Sequence, residues 1–201
     1  MTGTPGIHSL FWLAVTRLGE AQILLPAFLA GVLWLAFARP AGARGRLAEG
    51  NPHAHDHPAR RSALRWVAGI GAATIVTTSS KVAFRGCGIG IAAIDFTGFS
   101  GHSMYSWAIL PVLGAIIAGR PGVAAGALMA VLITWSRVKL GAHSWSEAIS
   151  GLALGVAASG WALADYLTHP GAATPSARPL MASLQECAPS LTRDQVISTA
   201  I

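Results

Sequence analysis

The chain has 201 residues, 53% of them hydrophobic and 11% charged, with a formal net charge of +6 and a mean hydropathy of +0.53. A soluble globular protein does not sustain that average, because its surface needs charge. The positive charge gathers in one inter-helix loop, so membrane topology accounts for it and nucleic acid is not an expected partner. The apolar residues come in blocks close to the about 20 that cross a bilayer, and abundant Ala and Gly suit close helix packing in lipid. The expected fold is therefore all-α, a polytopic transmembrane bundle of about five spans.

Residues 1–22 include "IHSLFWLAVTRLGEAQ", short and amphipathic, expected to lie in the membrane interface. Residues 23–38 read as the first span and open the membrane domain, 23–167. A basic loop at 39–63, rich in Pro, Gly, His and Arg, reads as flexible. Its "HAHDH" tract at 53–57 looks metal-binding but reads as a solvated linker among Pro and Arg. The second span is 64–80, followed by a long glycine-rich connection at 81–101 in which Asp95 reads as a turn residue. The third span is 102–118, "GRPG" reads as a tight turn, and the fourth span is 123–135. "SRVKLGAHSWSE" then leads into a fifth span at 147–167, and the polar tail 168–201 is expected to be disordered. "GVAAG" and "GLALG" read as packing faces, between helices or between subunits, which leaves a homo-oligomer open.

Arg39, Arg44, Arg46, Arg60, Arg61 and Arg65 put the first loop in the cytoplasm. Counting spans from there, the 81–101 connection and "SRVKLGAHSWSE" meet on the outer face. Outer loops should be poor in cations, yet these carry Lys81, Arg85, Arg137 and Lys139. Such cations either snorkel to lipid headgroups or hold an anion.

Ser100-Gly101-His102 leads directly into a helix, whose N-terminus offers free N–H groups to an anion. Arg137 is a planar, bidentate partner for phosphate-like oxygens. His143 and Glu147 are four apart and share a helix face. A carboxylate there can hold one imidazole nitrogen and leave the other free to attack. Two histidines, fixed cations and a carboxylate suit phosphoryl transfer, where positioning and charge stabilisation carry most of the rate. Closely spaced ligands without competing Arg would suit zinc better, so no metal is expected.

Ser136-Arg137, five residues, His143, three residues and an acid, with "FSGH" upstream, resemble the type 2 phosphatidic acid phosphatase family, which shares its site with vanadium haloperoxidases. The resemblance covers residues 81 to about 167. It implies a metal-independent membrane phosphatase needing no cofactor, of the bacterial inner-membrane type, with its active site at the outer membrane interface. The expected substrate is a lipid phosphate, such as phosphatidic acid, phosphatidylglycerol phosphate or a polyprenyl diphosphate. His143 would be the nucleophile, forming a phosphohistidine, with Glu147 orienting it and His102 protonating the leaving oxygen. Lys81, Ser100, Gly101 and Arg137 would bind phosphate, with Arg85 standing in for a missing motif Arg. Glu147 replaces the family's usual Asp, Phe99 its Pro, and Gly88-Ile89 its Arg-Pro. A haloperoxidase-like vanadate site is the alternative within chemistry. A non-catalytic membrane relative, acting as a binding or assembly partner, is the alternative outside it.

Overall fold

The structure, a computed structural model, describes residues 7–37 and 58–168. Seven α-helices follow in order among these residues: α1 (Ile7–Leu18), α2 (Ala21–Phe37), α3 (Pro58–Cys87), α4 (Gly101–Ala118), α5 (Arg120–Lys139), α6 (Trp145–Ala162) and α7 (Ala164–Thr168). Between α3 and α4 lie a single 3-10 turn, Ala92–Ile94, and an isolated bridge pairing Ile91 with Phe96. Among the described residues four stretches are long and apolar enough to cross a membrane: Leu10–Phe37, Ala59–Cys87, Gly101–Ala118 and Arg120–Lys139.

Burial runs opposite to that of a water-soluble protein. Ser100, Ser103, Ser106, Ser136, Ser159 and Glu147 are buried, while Leu29, Leu33, Ile75, Leu128 and Ile149 stand exposed. Such an outer surface is unfavourable in water and favourable in hydrocarbon. This all-α bundle is a membrane protein. α6 is not among the four most apolar stretches, since it carries Glu147 and three serines. Its packing against α3 and α4 explains why it can.

α4 is the central helix, packing most extensively on α5 and α6. The two glycine patterns make these contacts. An added Cβ on Gly122 would lie 1.9 Å from the Gly114 carbonyl oxygen, and one on Gly126 would lie 2.3 Å from that of Leu110. On the other flank, Cβ atoms on Gly151 and Gly155 would meet the Ser100 and Met104 carbonyl oxygens at 2.4 and 2.5 Å. Both patterns therefore serve packing within the chain. Trp66 fills the space between α2, α3 and α4. It is fully buried, lies edge-on to Phe28 at 4.8 Å and donates from Nε1 to the Ala108 carbonyl at 2.7 Å.

Several boundaries differ from those read in the sequence. Residues 58–63 of the expected flexible loop are the first turns of α3. Pro58 suits a first helical position because its missing N–H has no partner there anyway, and the Ala and Arg that follow favour helix. α3 then continues past Ser80 to Cys87, so Lys81 and Arg85 stand on a helix. Of "GRPG" only Gly119 is a turn residue, at φ 68, and Pro121 sits in the first turn of α5. The fifth span breaks at Leu163, between α6 and α7. α1 packs against α5, burying Val15 and Thr16 while exposing Leu10, Phe11, Leu13 and Leu18. Its outward side is thus mainly apolar, and Leu10–Phe37 forms one apolar stretch. The 53–57 tract and the tail from 169 lie outside the described residues.

Candidate active site

Helix order brings the α3–α4 connection and the α5–α6 connection to the same end of the bundle. Hydrogen bonds sew them together. The Ser100 N–H donates to the Glu147 carbonyl at 3.1 Å, the Ser146 hydroxyl donates to the Ile94 carbonyl at 2.8 Å, and the Thr97 N–H donates to Glu147 Oε1 at 2.8 Å. Asp95 is a turn residue, in the left-handed region at φ 50.

The end of α5 sets the relation of Arg137 to His143. Gly141, at φ 64, supplies the left-handed residue that closes a helix C-terminus. The Gly141 N–H then bonds to the Val138 carbonyl at 3.0 Å, and those of Ala142 and His143 bond to the Arg137 carbonyl at 3.0 and 3.3 Å. His143 is thereby fixed one short turn beyond Arg137.

Ser144 caps α6, its hydroxyl accepting from the Glu147 N–H at 3.3 Å. Ser-x-x-Glu is the capping-box pattern, in which the Glu side chain normally folds back to the cap's own N–H. Here Glu147 points elsewhere. Its Oε2 meets His143 Nδ1 at 2.7 Å, and its Oε1 also accepts the Thr97 hydroxyl. Both carboxylate oxygens are engaged, and the residue is 5% exposed.

His143 has its proton affinity lowered from the ordinary 6.5, chiefly by burial, with Arg137 and Lys81 adding repulsion and Glu147 opposing both. Neutral imidazole is therefore favoured at pH 7, with Nδ1 directed to the carboxylate and Nε2 left available. His102, in the first turn of α4, lies within electrostatic reach of Arg137, His143 and Lys81. The Arg137 Nη1 donates to Thr16 Oγ1 of α1 at 2.9 Å, while its buried Nε has no partner among the described residues. A buried guanidinium N–H without a partner is costly in a closed site and ready to serve an anion.

Ser100 and Gly101 are placed differently. Ser100 has no exposed surface, its N–H is taken by Glu147, and its hydroxyl accepts from Ser103 at 3.2 Å. In this structure Ser100 holds the helix start in place. Gly101 has open space around it and lines a cleft of about 590 Å³ between α3 and α4. Thr74, Thr77, Lys81 and Arg85, on one face of α3, line the same cleft, with Tyr105 opposite. Lys81 and Arg85, four residues apart, thus share this face. Lys139 is apart from these groups, its Nζ 5.7 Å from the centroid of Trp135. Trp135 stacks edge-on with Trp145 at 5.4 Å, and an exposed Trp pair of this kind suits a membrane–water interface.

Thr97 and Thr16 carry no signal of their own in the sequence. Thr97 lies fifty residues from Glu147 and Thr16 lies 121 from Arg137, so no local spacing links either pair.

No family model and no solved structure matches the chain. It is 31% identical over 155 residues to an "Uncharacterized 22.5 kDa protein in cps region" of Klebsiella pneumoniae, covering 74% of this chain and 66% of that protein, just short of two thirds of its length.

Proposed function

We propose that this chain is an integral membrane phosphatase of the type 2 phosphatidic acid phosphatase kind, acting on a lipid phosphate or diphosphate through a phosphohistidine. The observation that carries this reading is the 2.7 Å contact from His143 Nδ1 to Glu147 Oε2, within reach of two cations, Arg137 and Lys81. His143 Nε2 attacks phosphorus, a P–N bond forms, and the P–O bond to the leaving group breaks. His102, whose protonated form the negative charge of the bound phosphate favours, gives its proton to the departing oxygen. Water then attacks the phosphohistidine, gives a proton back to His102 and releases phosphate, restoring His143. Arg137, Lys81 and the Gly101 N–H hold the phosphoryl oxygens, and their charge offsets that gathering in the transition state. Arg85, one turn beyond Lys81 on the cleft face, holds the rest of an anionic headgroup. A site at the end of the bundle lets that headgroup enter while the tails stay in lipid. The basic first loop argues for a bacterial-type inner membrane with the site facing outward.

The test is brief exposure of detergent-purified protein to lipid phosphates carrying 32-phosphate. Acid-labile label on the wild type, absent from a folded His143→Ala variant that also releases no phosphate, is the expected result. A His143→Ala variant hydrolysing at the wild-type rate sinks the mechanism. Reproducible absence of label and turnover in the wild type, across a panel of lipid phosphates, favours a non-catalytic binding relative, for which the altered Gly88-Ile89 position speaks.

A further inference from the structure

Glu147 is gripped from two elements at once. One carboxylate oxygen serves His143 at 2.7 Å, and the other takes both donors of Thr97, the N–H at 2.8 Å and the hydroxyl. The stretch carrying Thr97 is itself tied down. The Phe99 N–H donates to Ser80 Oγ of α3 at 3.2 Å, the Ser100 N–H donates to the Glu147 carbonyl at 3.1 Å, and the Ser146 hydroxyl donates to the Ile94 carbonyl at 2.8 Å. Thr97 therefore brings a fixed pair of donors to the acid from a rigid neighbour.

The need for that grip follows from the length of the acid. Glu has one more rotatable bond than Asp between backbone and carboxylate, hence more freedom to lose on being fixed. It also starts from Ser-x-x-Glu, a pattern whose usual outcome is to turn the side chain back to the helix cap. Two donors on Oε1 draw the carboxylate away from the cap and turn Oε2 toward the imidazole as an acceptor. That arrangement selects the tautomer with its proton on Nδ1 and a bare Nε2.

We infer that Thr97 is a positioning residue, whose paired donors hold Glu147 so that it fixes the tautomer and direction of His143. The consequence for catalysis rests on the phosphatase reading; the orientation of His143 does not. The clamp also accounts for Glu where an Asp is the more economical orienter. With the α6 backbone in place, a carboxylate one methylene shorter is expected to lose either Thr97 or His143.

The experiment is nitrogen-15 NMR of the histidine rings in substrate-free, detergent-purified full-length protein, with His143 assigned by its loss in His143→Gln. In the wild type His143 shows a protonated Nδ1 and a bare Nε2. Thr97→Val keeps the shape and the N–H but lacks the hydroxyl, and it gives a mixture of tautomers. Thr97→Ser restores the wild-type pattern, and Glu147→Asp gives a mixture like that of Thr97→Val. Wild-type shifts in Thr97→Val, or a Thr97→Ser variant as disturbed as Thr97→Val, overturn the inference. If Thr97→Val does not fold, Glu147→Asp decides, because a wild-type tautomer there overturns it equally. Phosphate release is read on the same samples. Thr97→Val lowers kcat roughly tenfold to a hundredfold with KM little changed, the scale of a misplaced reacting group, and Thr97→Ser recovers it. A wild type without phosphate release defeats the phosphatase reading, while the tautomer result still decides the role of Thr97.

Discussion

In the proposed reaction His143 is the nucleophile, and its surroundings set a pH dependence. Burial and the nearby cations lower its proton affinity from 6.5. Attack needs the lone pair on Nε2, which protonation removes. As pH falls, activity is therefore expected to persist below 6.5 before its acid limb appears. Stability follows the same sign. The unfolded chain takes up the proton near 6.5 and the folded chain only at lower pH, so this group's contribution is full above 6.5 and is lost as pH falls toward the folded value. A phosphate-release profile from pH 4 to pH 9 checks the first point. An acid limb centred above 6.5 contradicts it and means that the local charge balance favours imidazolium. Lys139 shows the opposite lesson. It lies between Arg137 and His143 in the sequence, yet its partner is an aromatic ring at the membrane end of α5.

Among the elements, α4 and α6 carry the candidate site because glycine lets them touch. Gly151 faces the Ser100 carbonyl so closely that a Cβ would lie 2.4 Å from its oxygen. This contact neighbours the bond from the Ser100 N–H to the Glu147 carbonyl. Gly151→Ala should push α6 off the start of α4, costing about 1–3 kcal/mol as an overpacked contact and separating Glu147 from the Ser100–His102 turn. Gly160, on the same helix, has nothing within 4 Å of an added Cβ. Gly160→Ala should leave stability within about 0.5 kcal/mol or raise it slightly. Thermal unfolding in detergent, with phosphate release on the same samples, separates the two. Equal effects at both positions mean that helix propensity, not close approach, governs this face.

For the molecule as a whole, the two polar connections lie at one end, and α3 begins at the other. There Arg65 donates from Nη1 to Asp165 of α7 at 2.9 Å, joining the start of α3 to the end of the α6–α7 pair. In the proposed orientation the Arg-rich loop preceding α3 lies in the cytoplasm, as the positive-inside rule would have it. Cys87, exposed at the last residue of α3, reports the other side. In a Cys187→Ser background, a membrane-impermeant maleimide should label Cys87 on intact cells. With Cys87 also replaced by Ser, a cysteine introduced at Arg44 should stay unlabelled. The reverse pattern means that the bundle is inverted and that the site faces the cytoplasm.

What could be read from the chain alone follows from range. Apolar blocks of bilayer length, the closeness of His143 to Glu147 and a Gly-rich packing stripe are each local in the chain, so the membrane bundle and the pairing were legible, but His143 precedes α6 and meets Glu147 from the loop instead of sharing a helix face with it. Helix ends were less so. Hydropathy marks where apolar residues stop, whereas the hydrogen-bonded helix of α3 continues past Ser80 and carries Lys81 and Arg85 into the cleft wall. The burial of Ser100, the hold of Thr16 on Arg137 and the grip of Thr97 on Glu147 were decided by tertiary structure alone. Each depends on segments distant in the chain meeting at one end of the bundle. Sequence by itself determined which groups are present and which can pair within a turn. The packing of α4 against α5 and α6 decided which of them meet, because a hydrogen bond between distant residues exists only once the helices that carry them are in place.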